Sequence, residues 1–320
     1  MPIASSQSDE AKPDLAPVGP IVPHLWFDTE AVEATQFYAE VFPDSGVDHV
    51  RQLHDTPSGD VDVVEFHIGD QPFMAMSAGP AVRPNPSISF FLHFDPARDA
   101  AASEHLDATW KRLADGGLVR MELGEYPFSS HYGWVEDRYG INWQLMLSDP
   151  DGDPRPFVMP SLMFTRDQAG NAEEAIQRYV SLFPNARRGQ TARYPAGMEP
   201  DHEGTLMYAD FQLCGQWFAA MDSAHAHDFA FNEAISLLVE CQTQEQMDHL
   251  SDALSAHPES EQCGWLKDRF GVSWQITPAD LHAAMREGTQ EQIDRVTHAF
   301  LPMKRLDLAA IRAAYEGAGQ

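Results

Sequence analysis

"HYGWVEDRYGINWQLM" occupies positions 131–146, and "QCGWLKDRFGVSWQIT" follows at 262–277. Gly133 aligns with Gly264, Trp134 with Trp265, Asp137 with Asp268, Arg138 with Arg269, Gly140 with Gly271, Trp143 with Trp274 and Gln144 with Gln275. Tryptophan is rare, so two Trp pairs in register mark a duplication. The rest of the chain supplies partners in the same order: "FYAEVFPDS" (37–45) with "RYVSLFPNA" (178–186), "EFHIGDQPFMAM" (65–76) with "DFQLCGQWFAAM" (210–221), and "ISFFLHF" (88–94) with "ISLLVEC" (235–241). A repeat this long is a whole domain, too large for a solenoid unit. The polar, Pro- and Gly-bearing "SDPDGDPRP" at 148–156 reads as a linker between domains at 20–147 and 157–280. Residues 1–19 read as a disordered N-terminus and 281–320 as a helical tail, with Thr289 and Gln292 forming a capping box.

Within each copy the order strand, helix, strands occurs twice. A short apolar strand, "IVPHLWF" or "FVMPSLMF", precedes a helix over about 30–41 or 171–182, which stops at Phe-Pro because proline cannot continue it. In copy one, strands follow at roughly 47–54, 61–68 and 71–77, then a fresh strand at 86–94, a helix near 101–115 and further strands. The fold class implied is α+β: two tandem domains, each of paired βαβββ modules, plus the helical tail. Period-two alternation assigns the faces. Phe90 and Leu92 oppose Ser89 and His93, Trp143 and Leu145 oppose Asn142 and Gln144, and Phe66 opposes Glu65 and His67. One face meets the helices and the other is amphiphilic, suited to lining a cup.

Composition narrows the function. The net charge is −28, from 49 acidic and 21 basic residues, which disfavours nucleic acid and anionic membrane faces. Two explanations of this acidity stand side by side, solubility through self-repulsion and adaptation to a salt-rich cytoplasm; the second predicts a melting temperature that rises in molar KCl. No apolar run approaches the ~20 residues that span a bilayer, and no secretory leader is legible, so a soluble, cytoplasmic protein is expected. Cys214, Cys241 and Cys263 all lie in copy two, opposite Gly69, Phe94 and Tyr132, and read as free thiols.

"LWFDTEAVEATQFYAEVFPDS", "GDQPFMAM", "NEAIS" and "CGWLKDRFGVSWQI" resemble the PhnB-like branch of the vicinal oxygen chelate (glyoxalase/bleomycin resistance) superfamily. Members of this branch often carry the label 3-demethylubiquinone-9 3-methyltransferase. The resemblance covers about 20–280 and implies a cupped sheet that holds a divalent metal and a small substrate. The metal-binding Glu of the superfamily falls at Gln144 and Gln275, its first-strand His near Ile21 and Val158, and a third ligand near Ser87 and Ala234. A neutral amide is a poor ligand for a hard cation, so no cofactor is expected, with a divalent metal as the alternative. His24, three residues beyond Ile21, is expected on the opposite face. The label meets a separate objection: a nucleotide-type methyl donor needs a Gly-rich loop after a strand, and the one G-x-G here is Gly317 and Gly319 in the tail.

The cup face of copy one offers Glu65 and His67 as a catalytic acid/base pair, with Ser89, His93, Asn142 and Gln144 as ligand-binding groups; copy two offers Asp210, Ser236 and Gln275. His225 and His227 form an H-x-H pair that can ligate a metal or lie in a polar loop. Two readings follow, a protein that binds or sequesters a small ligand without metal, and an enzyme on a small oxygen-rich or aromatic metabolite. Fusing two domains builds a dimer-like pairing into one chain, so a monomer, or a homodimer through the tail, is expected.

Overall fold

The computed structural model describes residues 19–317; the expected disordered N-terminus lies almost wholly outside them. The first module is β1 (Ile21–Phe27), α1 (Ala31–Val41), β2 (Ser45–Thr56), β3 (Gly59–Ile68) and β4 (Gln71–Ser77). The second is β5 (Ile88–Phe94), α2 (Ala102–Ala114), β6 (Leu118–Tyr126), β7 (Ser129–Glu136) and β8 (Asn142–Leu147). The third is β9 (Val158–Thr165), α3 (Ala172–Leu182), β10 (Arg187–Arg193), β11 (Leu206–Leu213) and β12 (Gln216–Ser223). The fourth has one strand fewer: β13 (Ile235–Cys241), α4 (Gln244–Leu254), β14 (Trp265–Lys267) and β15 (Ser273–Pro278). Three tail helices follow, α5 (Ala279–Glu287), α6 (Gln290–Phe300) and α7 (Leu308–Glu316). The Thr289 and Gln292 capping box opens α6 as the sequence implies.

Modules pair across the two copies. A seven-stranded sheet runs β14-β15-β13-β1-β4-β3-β2, and an eight-stranded sheet runs β10-β11-β12-β9-β5-β8-β7-β6. The seams are antiparallel: β1 on β13, with His24 opposite Ser236, and β5 on β9, with Ser89 opposite Ser161. Each module leaves its own first strand at an edge, with unpaired N–H and C=O groups that another module must satisfy. Each cup is therefore made from one half of each copy. This is the dimer-like pairing expected of a fused tandem, drawn inside a single chain.

The duplicated motif acts in the core between sheets and helices. The Asp137 carboxylate accepts from Tyr38 Oη (2.8 Å), Trp143 Nε1 (2.8 Å) and the backbone N–H groups of Tyr139 and Ile141 (2.8 and 3.0 Å). Asp268 repeats this with Tyr179 Oη (2.6 Å), Trp274 Nε1 (2.9 Å), Phe270 N and Val272 N. Each Asp ties a helix tyrosine to the strand tryptophan and caps the turn between them. Gly140 and Gly271 both sit at φ +89°, which the turn requires. The other glycine pair diverges: Gly264 has φ +81°, whereas Gly133 lies against the Trp110 ring, 2.6 Å from where a Cβ would stand.

Candidate ligand-binding cup

On the cup face of the seven-stranded sheet, the seam places His24 between Ser236 of β13 and Met74 of β4. Gln275 of β15 reaches in and donates from Nε2 to Ser236 Oγ (2.9 Å). The eight-stranded sheet repeats the arrangement with smaller groups. Ser161 takes the place of His24, Ser89 that of Ser236 and Ala219 that of Met74. Gln144 donates to Ser89 Oγ (2.8 Å) and accepts from Tyr132 Oη (2.6 Å).

Two buried atoms at these matched positions, His24 Nδ1 and Ser161 Oγ, have no hydrogen-bond partner. Such groups are rare in folded proteins and costly to leave unmade. The two cups differ in how they are filled. On the eight-stranded sheet Phe91, Tyr132, Met159 and Ala219 form an apolar cluster, with Trp134, Tyr208 and Trp217 packed on it. On the seven-stranded sheet a cavity of about 130 Å³ remains. His24, Met74, Leu238, Trp265 and Gln275 floor it, Glu65 and Arg51 stand at its side, and Leu281, His282, Met285 and Phe300 of the tail roof it. Burial pushes the His24 imidazole down to about 3, with His282 adding to the effect, and burial pushes His282 down to about 4. Both rings are neutral at physiological pH.

The structure separates residues that the sequence grouped. Glu65 and His67 lie on the seven-stranded sheet, whereas Ser89, His93, Asn142 and Gln144 lie on the other, so the six do not converge. Periodicity assigned their faces correctly but carries no information on which module pairs with which. Ser236 and Gln275 join Glu65 at one cup, and Asp210 joins Gln144 at the other. Glu65 is held by Arg286 Nη1 (3.1 Å), and His67 bonds through Nδ1 to Asp48 at the exposed rim (2.9 Å). His93 bonds to the Pro156 carbonyl (3.1 Å), and burial lowers it to about 4. Asn142 accepts from Trp134 Nε1 (3.1 Å). Asp210 is buried in an ion pair with Arg155 (2.8 Å) and accepts from Gln190 N (2.6 Å).

His24 is the residue that sequence reasoning passed over. Ile21, the position matched to the superfamily's ligand, points into the core, and the cup face of β1 carries His24. The usable signal was the pair "VPHLWF" and "MPSLMF", which puts a polar residue after proline at matching places.

The donor set does not fit the superfamily's divalent metal. The floor offers one imidazole, a hydroxyl and an amide, and the second cup a pair of hydroxyls and an amide. Hard cations take several carboxylate or carbonyl oxygens, and borderline ones such as Zn, Fe and Ni several imidazoles, thiolates or carboxylates. Among the described residues no group of three or more His, Cys, Asp or Glu side chains is placed to hold a metal. His225 pairs with Asp201 (3.4 Å) and His227 with Ser223 (2.8 Å), in a polar loop.

The family model described as 3-demethylubiquinone-9 3-methyltransferase matches residues 20–146 and again 156–277. The chain belongs to this PhnB-like family. Its fold is a tandem of mixed α+β modules with a helical tail. Similar solved structures include the PhnB protein from Bacillus cereus, 27% identical, covering 41% of this chain and 100% of that one at a TM-score of 0.36. A protein from Pseudomonas aeruginosa is 23% identical over 41% of this chain and 98% of its own, with a TM-score of 0.35. Glyoxalase I from Zea mays is 12% identical, covering 72% of this chain and 78% of that one, with a TM-score of 0.47. No curated protein matches. Among the described residues, no helix of this PhnB-like chain is long and apolar enough to cross a membrane.

Proposed function

We propose that this PhnB-like protein binds a compact, largely apolar small molecule in the roofed cup of the seven-stranded sheet, without a metal. The observation that carries the reading is His24 Nδ1, buried and unpartnered at the floor of a cavity. A ligand with one polar group satisfies that atom, and the surrounding Met74, Leu238 and Phe300 take its apolar body. About 130 Å³ is close to the ~150 Å³ of an apolar cavity that admits benzene, so a molecule of phenol size fits.

A nucleotide-type methyl donor does not fit this cavity. The cavity is too small, and Gly317 of the G-x-G caps the C-terminus of α7, where carbonyls are free and N–H groups are not. The enzyme reading keeps one support, that Glu65 borders the cavity. Turnover of a phenol-sized substrate abolished in Glu65→Gln and His67→Gln would establish it.

Ligand-observed NMR with phenol and fluorobenzene tests the binding reading. Wild type is expected to prefer phenol by roughly tenfold, the worth of one buried hydrogen bond of about 1–1.5 kcal/mol. His24→Leu should erase the preference, and Leu238→Trp, which fills the cavity, should abolish both. Binding that survives Leu238→Trp unchanged would place the site elsewhere. Elemental analysis of protein purified without chelator is expected to find no stoichiometric metal; a bound metal that raises the melting temperature would overturn that part of the reading.

A further inference from the structure

The fourth module has no counterpart of β6, and the tail covers the space. Helix α5 leaves β15 directly and packs on β15 and β2, and α6 crosses to β2. Leu281, His282 and Met285 of α5 and Phe300 of α6 form the roof over His24.

The two ends of this roof are fastened differently. On the β14 side, backbone bonds run from Cys263 N to Met303 O (2.8 Å) and from Gly264 N to Lys304 O (2.9 Å), with Arg305 bridging Asp252 and Glu261. On the β2–β3 side the hydrogen bonds and ion pairs come from polar side chains. Arg51 donates to the Met285 and Arg286 carbonyls at the end of α5 (3.0 and 2.8 Å), Arg286 pairs with Glu65 (3.1 Å), Gln290 donates to Gln52 O (3.2 Å), and His54 meets Asp294 (3.2 Å). Partly exposed ion pairs of this kind hold weakly and are screened by salt.

The tail also has a hydrophobic cluster of its own, built on Leu281, Ala284, Val296, Leu306 and Ile311. The tail helices therefore stay packed on one another when the roof face of Leu281, Met285 and Phe300 parts from the floor. His49, the exposed residue among those that line the cavity, marks the mouth beside Arg51.

We infer that α5 and α6 are a hinged roof, fixed at the β14 edge and latched to β2 and β3 by Arg51 and by the Arg286–Glu65 pair, and that opening this latch admits the ligand. The inference rests on the binding reading for its purpose but not for its test. Lid motions of this kind run on microsecond to millisecond timescales, so the latch sets exchange rates while the floor sets affinity.

Acylation of His24 by diethyl pyrocarbonate, followed in its own peptide by mass spectrometry, measures the opening. The reagent attacks unprotonated imidazole, and His24 is neutral, so its rate reports access. Arg286→Met and Arg51→Met, singly and together, keep the aliphatic stems and remove the latch. The double variant is expected to acylate His24 at least tenfold faster, with alkylation of the core Cys241 unchanged. In the same variant fluorobenzene should exchange at least tenfold faster.

A His24 rate that does not move in the double variant overturns the roof. So does a rise matched at Cys241, because that reports global unfolding. If fluorobenzene binds neither protein, the cup reading fails while the His24 rates still decide the roof.

Discussion

Asp137→Ala is expected to lower stability by about 4 kcal/mol. Four donors lose their acceptor, two on side chains and two on the backbone. Asp137, Tyr38, Trp143 and Ile141 are all buried. Each orphaned buried donor costs about 1–3 kcal/mol, softened where water follows into the space left by the carboxylate. Asp268→Ala should behave alike, because Tyr179, Trp274, Phe270 N and Val272 N stand in the same relation to it. Urea unfolding with an unchanged m value checks the number. Arg138→Ala serves as the control: its guanidinium packs over the Phe37 ring at 4.2 Å, so a loss under about 1 kcal/mol is expected. If both Asp variants lose less than 1 kcal/mol, the carboxylates are not what joins helix to sheet.

Acid should unfold this protein through three histidines. Burial is the leading cause for each: it lowers His24 to about 3 and His93 and His282 to about 4. The unfolded chain binds a proton at these sites near 6.5 and the folded chain does not, so stability falls as pH drops from 6.5 toward 4. Each ring contributes up to about 1.4 kcal/mol per pH unit, and up to about 3 kcal/mol across the window. Asp137 acts in the opposite sense. Burial raises it to about 6, so its contribution is full below the unfolded value of 3.8 and is lost as pH rises through 6. Burial raises Asp222, Glu240 and Asp268 in the same sense as Asp137, so these carboxyls offset part of what the three rings contribute, and the His24 variant separates the two. His24→Leu isolates one ring without breaking a hydrogen bond, since Nδ1 makes none. This variant should flatten the decline by about 1.4 kcal/mol per unit below pH 6; an unchanged slope would mean that His24 is protonated in the folded state.

Much of the fold is legible in the sequence. The Trp and Gly register announced the duplication, Phe-Pro ended α1 and α3, and alternation placed Trp143 inward and Gln144 toward a cup. The carboxylate of the repeated aspartate caps its own turn. Its bonds to Tyr38 and Trp143 were not readable, because a helix tyrosine 99 residues away leaves no local pattern. The site was legible only in fragments. Ser89 with Gln144 and Ser236 with Gln275 are true neighbours, but Glu65 stands with Ser236 and Gln275 rather than with Ser89 and Gln144, and the cup face of β1 carries His24 where the resemblance pointed to Ile21.

The sequence by itself determined what repeats along the chain: four modules, the inward and outward faces of their strands, a helical tail and a surface dominated by acid. These follow from local sterics and from side-chain period, which every short segment carries within itself. Only the tertiary structure decided the pairing of β1 with β13 and of β5 with β9. Strand edges are chemically alike, and the choice among them depends on the packing of the whole core. That choice put His24, Ser236 and Gln275 on one floor, and the missing strand of the fourth module let the tail become its roof.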